Sequence, residues 1–157
     1  MIDHDRDLFI RELRDLYHIE RELEELQAEL AESATGEEVE EFYLGHGETT
    51  TDQIGRLETL FDAIEAEIEP GTIENAALDG LRTERDALVA DIDDPVLGDL
   101  VETELGRAIE RLEITKVETL LELADRMELP NEVIEQLETT KTEMETGLER
   151  ATELTVI

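Results

Sequence analysis

Residues 13–30 read LRDLYHIERELEELQAEL. Leu13, Leu16, Leu23 and Leu30 recur at helical spacing and define one apolar stripe. Glu20 and Gln27 fall on that same stripe. An ionised carboxylate taken out of water without a partner is strongly disfavoured. A helix that turns a glutamate toward its core therefore needs a proton or a counter-charge there.

Working outward, the first helix spans residues 5–34, and TGEE then reads as a capping box with Thr35 as N-cap and Glu38 as its partner. A second long helix follows over residues 36–68, until Pro70 and Gly71 mark a turn. Residues 73–92 form a shorter helix with Leu78, Leu81, Leu88 and Ile92 on one side. Asp94 caps the next helix and Pro95 suits its first turn; it continues to about residue 127. Pro130 opens a last helix that ends near residue 154. No segment alternates like a strand. The pattern predicts an all-α chain, one domain over residues 1–157, folded as an antiparallel four-helix bundle with an extra shorter helix between the second and third long ones. The longer middle segment lets the chain cross the bundle.

The 157 residues suffice for one core, built from aliphatic side chains because aromatics are only 3%. Lys and Arg number 13 against 45 Asp and Glu, a net charge of −32. Such a charge repels itself in dilute buffer. The apolar residues are periodic rather than scattered, which argues against disorder, and concentrated salt screens the repulsion. Lys116 and Lys141 are the only lysines. A halophilic, cytoplasmic protein is the expectation. The charge disfavours nucleic acid and anionic membranes as partners. The start, MIDHDRDLF, lacks the apolar core of a secretory leader. With no Cys, disulfides and thiolate metal sites are excluded. Ser33 is the only Ser, and no Gly-rich phosphate loop appears, so nucleophilic and phosphate-loop chemistry have little support. Gly45 and Gly47 weaken the second helix and point to close helix approach. Tyr17 and Tyr43 read as boundary residues with wet hydroxyls.

Each long helix is apolar at the ends of its inner stripe and polar near the middle. The first gives Leu13, Leu16, Glu20 and Leu23; the second gives Phe42, His46, Thr49, Gln53, Leu57 and Leu60. The third gives Ile109, Glu113, Lys116 or Val117, Leu120 and Ala124; the last gives Val133, Leu137, Thr140, Met144 and Leu148. Polar positions at similar depth on four helices form an internal layer. Carboxylates and imidazoles in such a layer hold iron or manganese ions in bundle proteins. Glu20 is thus a metal ligand or the descendant of one.

The stretches LFIRELRDLYHIERELEEL (8–26), HGETTTDQIGRLETLF (46–61) and AIERLEITKVETLLELA (108–124) resemble the YciE/YciF family of ferritin-like proteins. The acidic surface makes the chain look like a haloarchaeal-type member. The resemblance covers nearly the whole chain and implies a ferritin-like bundle, a homodimer, an association with stress responses and a di-iron site. It departs from the family pattern at Thr49, Arg111, Leu112, Thr139 and Thr140. Glu20, His46, Glu110 and Glu113 remain as metal candidates for residual iron or manganese. No residue is singled out as catalytic. Lys116, with Arg111, is expected to neutralise Glu20 and Glu113. Two functions follow: a stress-associated bundle whose di-metal centre is degraded or absent, or a di-iron or di-manganese oxidoreductase or iron-handling protein using the residual cluster. A purely structural interaction module, with protein partners the sequence does not name, is a third.

Overall fold

Five helices, α1 (Asp5–Ser33), α2 (Glu37–Ala63), α3 (Ala76–Ala90), α4 (Pro95–Arg126) and α5 (Asn131–Glu153), make up the computed structural model, which describes residues 1–68 and 75–154. No strand occurs among the described residues. α1 packs on α2 and α4, and α5 packs on α4 and α2, closing a ring of four. The side-chain pairs between helices fix their directions. Thr51 reaches Glu24, and Arg6 near the start of α1 reaches the Ile64 carbonyl after the end of α2, so α1 and α2 are antiparallel. Arg126 at the end of α4 meets Asp5 at the start of α1, while Asp99 near the start of α4 meets Thr35 just beyond α1. α2 and α4 therefore run the same way.

That direction dictates the role of the middle segment. The chain leaves α2 at one end of the bundle and must enter α4 at the other. α3, with 15 residues, covers about 22 Å of that distance as it packs along α4. One long crossover between two antiparallel pairs is the ferritin-like topology, as the sequence predicts.

The boundaries differ at the crossover. α2 ends at Ala63, five residues before the expected position, because Glu65 adopts a left-handed φ of 55° and Ala66 N–H donates to the Phe61 carbonyl. Pro70, Gly71 and the predicted start of the shorter helix at residue 73 lie outside the described residues. Asn75 caps α3: its Oδ1 accepts from Leu78 N–H at 2.8 Å and its Nδ2 donates to Asp15 on α1 at 2.8 Å. Of the apolar side expected on α3, Leu78 is buried and Leu88 is exposed.

The cap of α2 also comes from elsewhere than Thr35 and Glu38. Gly36 is the N-cap and has no side chain to serve. Asp99 reaches across from α4 instead. It accepts from Thr35 N–H at 3.0 Å, Gly36 N–H at 2.8 Å and the Thr35 hydroxyl at 3.0 Å. A Cβ at residue 36 would lie 3.1 Å from the Asp99 Oδ2, so glycine leaves room for it. A carboxylate at a helix N-terminus also meets the positive end of the macrodipole.

The core is split in two. Phe9, Leu13, Leu57, Phe61, Leu120 and Leu137 anchor one apolar cluster. Ile19, Leu23, Leu30, Tyr43, Leu105 and Ile109 anchor the other. The polar layer lies between them.

Because Asp99 joins the α1–α2 turn to α4, Asp99→Ala should cost about 2 kcal/mol, at the upper end of cap losses. Thr35→Val, which leaves both N–H bonds in place, should cost under about 1 kcal/mol. Urea unfolding of the two variants in multimolar KCl checks the order; equal losses would contradict the role of Asp99.

Candidate metal centre

Glu20 on α1 and Glu113 on α4 are fully buried, and none of their four carboxylate oxygens has a hydrogen-bond donor. The two groups are close enough to hydrogen-bond when one carries a proton. Burial, the main cause, pushes Glu20 up to about 7, with the negative charges of Glu110 and Glu143 adding to the rise. Burial, then Glu20 and Glu110, raise Glu113 well above the ordinary carboxylate range.

The expected internal cation is not there. Lys116 points to the edge of the α1–α4 contact, where its ammonium lies 2.7 Å from Asp15 and 3.0 Å from Glu12. Arg111 is exposed. The cause is helical geometry: a residue three positions after Glu113 is rotated by about 60° from it, and on α4 that rotation leads out of the layer. Lys116 serves Asp15. Burial alone would raise the Asp15 carboxyl, but hydrogen bonds from Lys116 and Asn75 hold it below its usual value.

One turn along the bundle, His46 on α2 pairs through Nε2 with Oε1 of Glu110 on α4. Glu110 is buried, and its Oε2 has no donor. Phe42 stacks on the imidazole with ring centroids 5.4 Å apart. Gly147 on α5 makes the space: a Cβ there would lie 2.5 Å from His46 Cε1 and 3.4 Å from Glu110 Oε1. Burial disfavours the charged imidazole, yet Glu110 beside it outweighs burial and raises the histidine above its ordinary value.

Gln53, Leu57 and Leu60 are buried as the stripe predicts, but the first half of the α2 face is turned by one position. Tyr43 and Thr50 are buried, whereas Phe42 and Thr49 are half-buried. Tyr43 sets this rotation by lying on Gly106, where a Cβ would be 2.6 Å from its hydroxyl oxygen, and by donating to the Glu102 carbonyl at 2.6 Å. Its hydroxyl is dry, contrary to expectation. The close approaches belong to Gly106 and Gly147; a Cβ at Gly45 would meet nothing within 4 Å, and one at Gly47 would make ordinary contact with Gln27.

A fourth carboxylate borders the layer from α5. Arg56 grips Glu143 through both oxygens at 2.8 and 3.1 Å and donates to Thr140 at 2.9 Å. Gln53 adds a longer contact to Glu143 at 3.4 Å. Sequence periodicity flagged neither Arg56 nor Glu143 as part of the layer. The helix-interior glycines Gly106 and Gly147 were the available signal for where side chains from other helices press in.

The layer thus gathers Glu20, His46, Glu110 and Glu113 into one buried region. Among the described residues, no three histidine, aspartate or glutamate side chains converge closely enough to enclose one ion. The unpartnered oxygens of Glu20 and Glu113 fit a single divalent cation between them, since its charge offsets their burial. A groove of about 370 Å³ between α2 and α5, lined by Phe42, His46, Thr49, Thr146, Gly147 and Arg150, opens toward this region.

Without a cation, the raised carboxyls set a pH dependence. Below about 4.5 Glu20 is protonated in both the folded and unfolded chain and has no effect on stability; between 4.5 and about 7 the fold holds a proton that the unfolded chain releases. Stability then falls as pH rises, and the loss is complete above about 7. His46, raised in the fold, adds stability below its unfolded value that is lost as pH rises through its folded one. Chelator-treated protein in multimolar KCl should therefore melt at a higher temperature at about pH 5.5 than at about pH 8. Glu20→Gln should melt above wild type at the higher pH and narrow the gap. An unchanged gap in that variant would show that Glu20 is not the source.

A family profile described as a domain of unknown function (DUF892) matches residues 4–156. Protein YciF of Escherichia coli K12 is 26% identical over 121 residues, 77% of this chain and 72% of that protein. YcfI of Rhodopseudomonas palustris superposes with a TM-score of 0.90 at 25% identity, covering 98% of this chain and 96% of that one. The crystal structure of the Escherichia coli stress protein YciF gives a TM-score of 0.86 at 23% identity, covering 97% and 94%. The family profile spans nearly the whole chain and the solved structures share its bundle: this chain belongs to the DUF892 family and is similar to YciF.

Proposed function

We propose that this protein is a stress-associated, ferritin-like bundle of a halophile whose centre is a reduced remnant of a di-metal site, holding at most one divalent ion and running no redox catalysis. The observation that carries this reading is the pair Glu20 and Glu113, fully buried with four oxygens lacking any donor. A bound iron(II) or manganese(II) would supply the positive charge that the layer lacks. Glu20 and Glu113 would hold it, and Glu110, kept in place by His46, would add negative charge one turn away. Carboxylate oxygen suits both metals. Thr49 and Thr140 put hydroxyls where further carboxylates would be needed, and Thr140 is engaged with Arg56 and the Gln136 carbonyl.

The chain is read as one domain acting as a homodimer in the cytoplasm. Leu88, Val96, Leu97 and Leu100, gathered around the α3–α4 turn, are 36–44% exposed and support contact with a second copy. Among the described residues no helix is long and apolar enough to cross a membrane. The net charge of −32 supports a salt-rich setting of haloarchaeal type and disfavours nucleic acid.

A second reading, an iron- or manganese-dependent oxidoreductase or iron-handling protein, draws support from the groove that leads to His46. Elemental analysis after anaerobic loading with Fe(II) or Mn(II) in multimolar KCl separates the two. The expected result is about one ion per chain, no oxygen consumption, and a higher melting temperature at pH 8. Two ions per chain, with oxygen consumption abolished in Glu20→Ala and Glu113→Ala, would establish the second reading. No ion after loading would leave Glu20 and Glu113 as a proton-sharing pair.

A further inference from the structure

Resting on the single-ion reading above, we propose that Arg56 is a built-in counter-ion that withholds Glu143 from the buried acids and so sets how many cations the centre takes. Glu143 stands on α5 beside the layer, and its side chain is 30% exposed while that of Arg56 is 20% exposed. A pair this sheltered is held more firmly than a surface ion pair. The guanidinium meets both carboxylate oxygens in the planar fork that arginine is suited to make. The grip is reinforced on each side. Thr140 accepts from the same Nη1 at 2.9 Å, and Gln53 donates toward Glu143 at 3.4 Å.

Glu143 is also near enough to matter to the centre. Its charge is among those that disfavour ionisation of Glu20. Glu143 also lines the groove that leads to His46, so a carboxylate there, left unpaired, has the chemistry to join Glu20 and Glu113 in a ligand set. Among the described residues no such set of three is assembled. Arg56 accounts for that: a cation carried by the chain already occupies the acid, so an ion from solution meets two carboxylates and water. Thr140 fits the same account. A short hydroxyl at 140 leaves space for the guanidinium and anchors it, while also donating to the Gln136 carbonyl at 2.9 Å.

The test is Mn(II) binding to the full chain in multimolar KCl at about pH 8, read as ions per chain by elemental analysis after equilibrium dialysis and as affinity by competition with a chelator. Wild type, Arg56→Leu, Glu143→Gln and the double variant are compared, each checked for helix content. Arg56→Leu is expected to bind at least about tenfold more tightly or to gain a second ion, because a third carboxylate joins the site. Glu143→Gln is expected to bind as wild type does, and the double variant to lose the gain. Arg56→Lys, which keeps the charge and loses the fork, is expected to give a smaller gain and serves if Arg56→Leu does not fold. Unchanged affinity and stoichiometry in both Arg56 variants would overturn the proposal, as would weakened binding in Glu143→Gln, since that acid would already be a ligand. If wild type binds no ion, the single-ion reading fails by itself. Binding that then appears in Arg56→Leu still supports the counter-ion role, and none in any Arg56 variant overturns that role too.

Discussion

The placement of Glu20 opposite Glu113 at the centre of the bundle is the constraint on which the rest of the layer depends. Two carboxylates removed from water and from every donor cannot both be ionised without a cation between them. A shared proton relieves the conflict, as does a divalent ion, as does a basic side chain. The chain uses the last of these nearby, with Arg56 on Glu143 and Lys116 on Asp15, yet supplies no base to the central pair. The apolar clusters on either side hold the acids in place. They fix α1 against α4 so that neither carboxylate reaches water.

Most of the fold was legible because it rests on local signals. The leucine spacing of residues 13–30 gave α1, and Asp94–Pro95 gave the start of α4, where Asp94 accepts from Val96 N–H at 2.9 Å. Glu20 and Glu113 were legible for the same reason, since each sits in phase with buried leucines and isoleucines. What escaped depends on contacts between segments distant in sequence. Asp99 caps a helix 63 residues away, so no window around Thr35 contains it. The rotation of the first half of α2 is set by Tyr43 meeting Gly106, a fit between two helices that periodicity on one of them does not encode. Arg56 and Glu143 both sit at the edge of their stripes, where polar residues normally face solvent. Of the two candidates for the inner position after Glu113, Val117 is buried and Lys116 lies on the rim, a distinction that decides whether a charge belongs to the interior.

Scarcity of positive charge makes the arrangement of cations informative. With 13 basic residues against 45 acidic ones, most acids must rely on water and salt. The helix faces carry these acids outward, where ionic screening reduces their repulsion. Several of the few cations instead sit where acids have left water. Arg85 grips the buried Glu102 at 2.6 and 3.0 Å, Lys116 meets the buried Asp15, and Arg56 meets the half-buried Glu143. An exposed ion pair contributes little to stability, whereas stranding a buried charge is costly. The distribution follows that difference.

Against this pattern the central pair stands apart. Among the described residues the buried carboxylates are Asp15, Glu20, Asp99, Glu102, Glu110 and Glu113. Asp15 has Lys116 and Asn75, Asp99 has the N–H groups of Thr35 and Gly36, Glu102 has Arg85, and Glu110 has His46. Each of these four is matched by a donor from the chain itself. Glu20 and Glu113 have none, although the sequence places Lys116 one turn away and the fold turns it outward. A chain that partners every other buried acid and leaves these two bare has left their charge to be settled from solution. A proton does this at low pH, where the pair is stable by itself. Near and above neutral pH, where the proton leaves Glu20, the buried charge of the pair grows while no basic side chain of the chain reaches it.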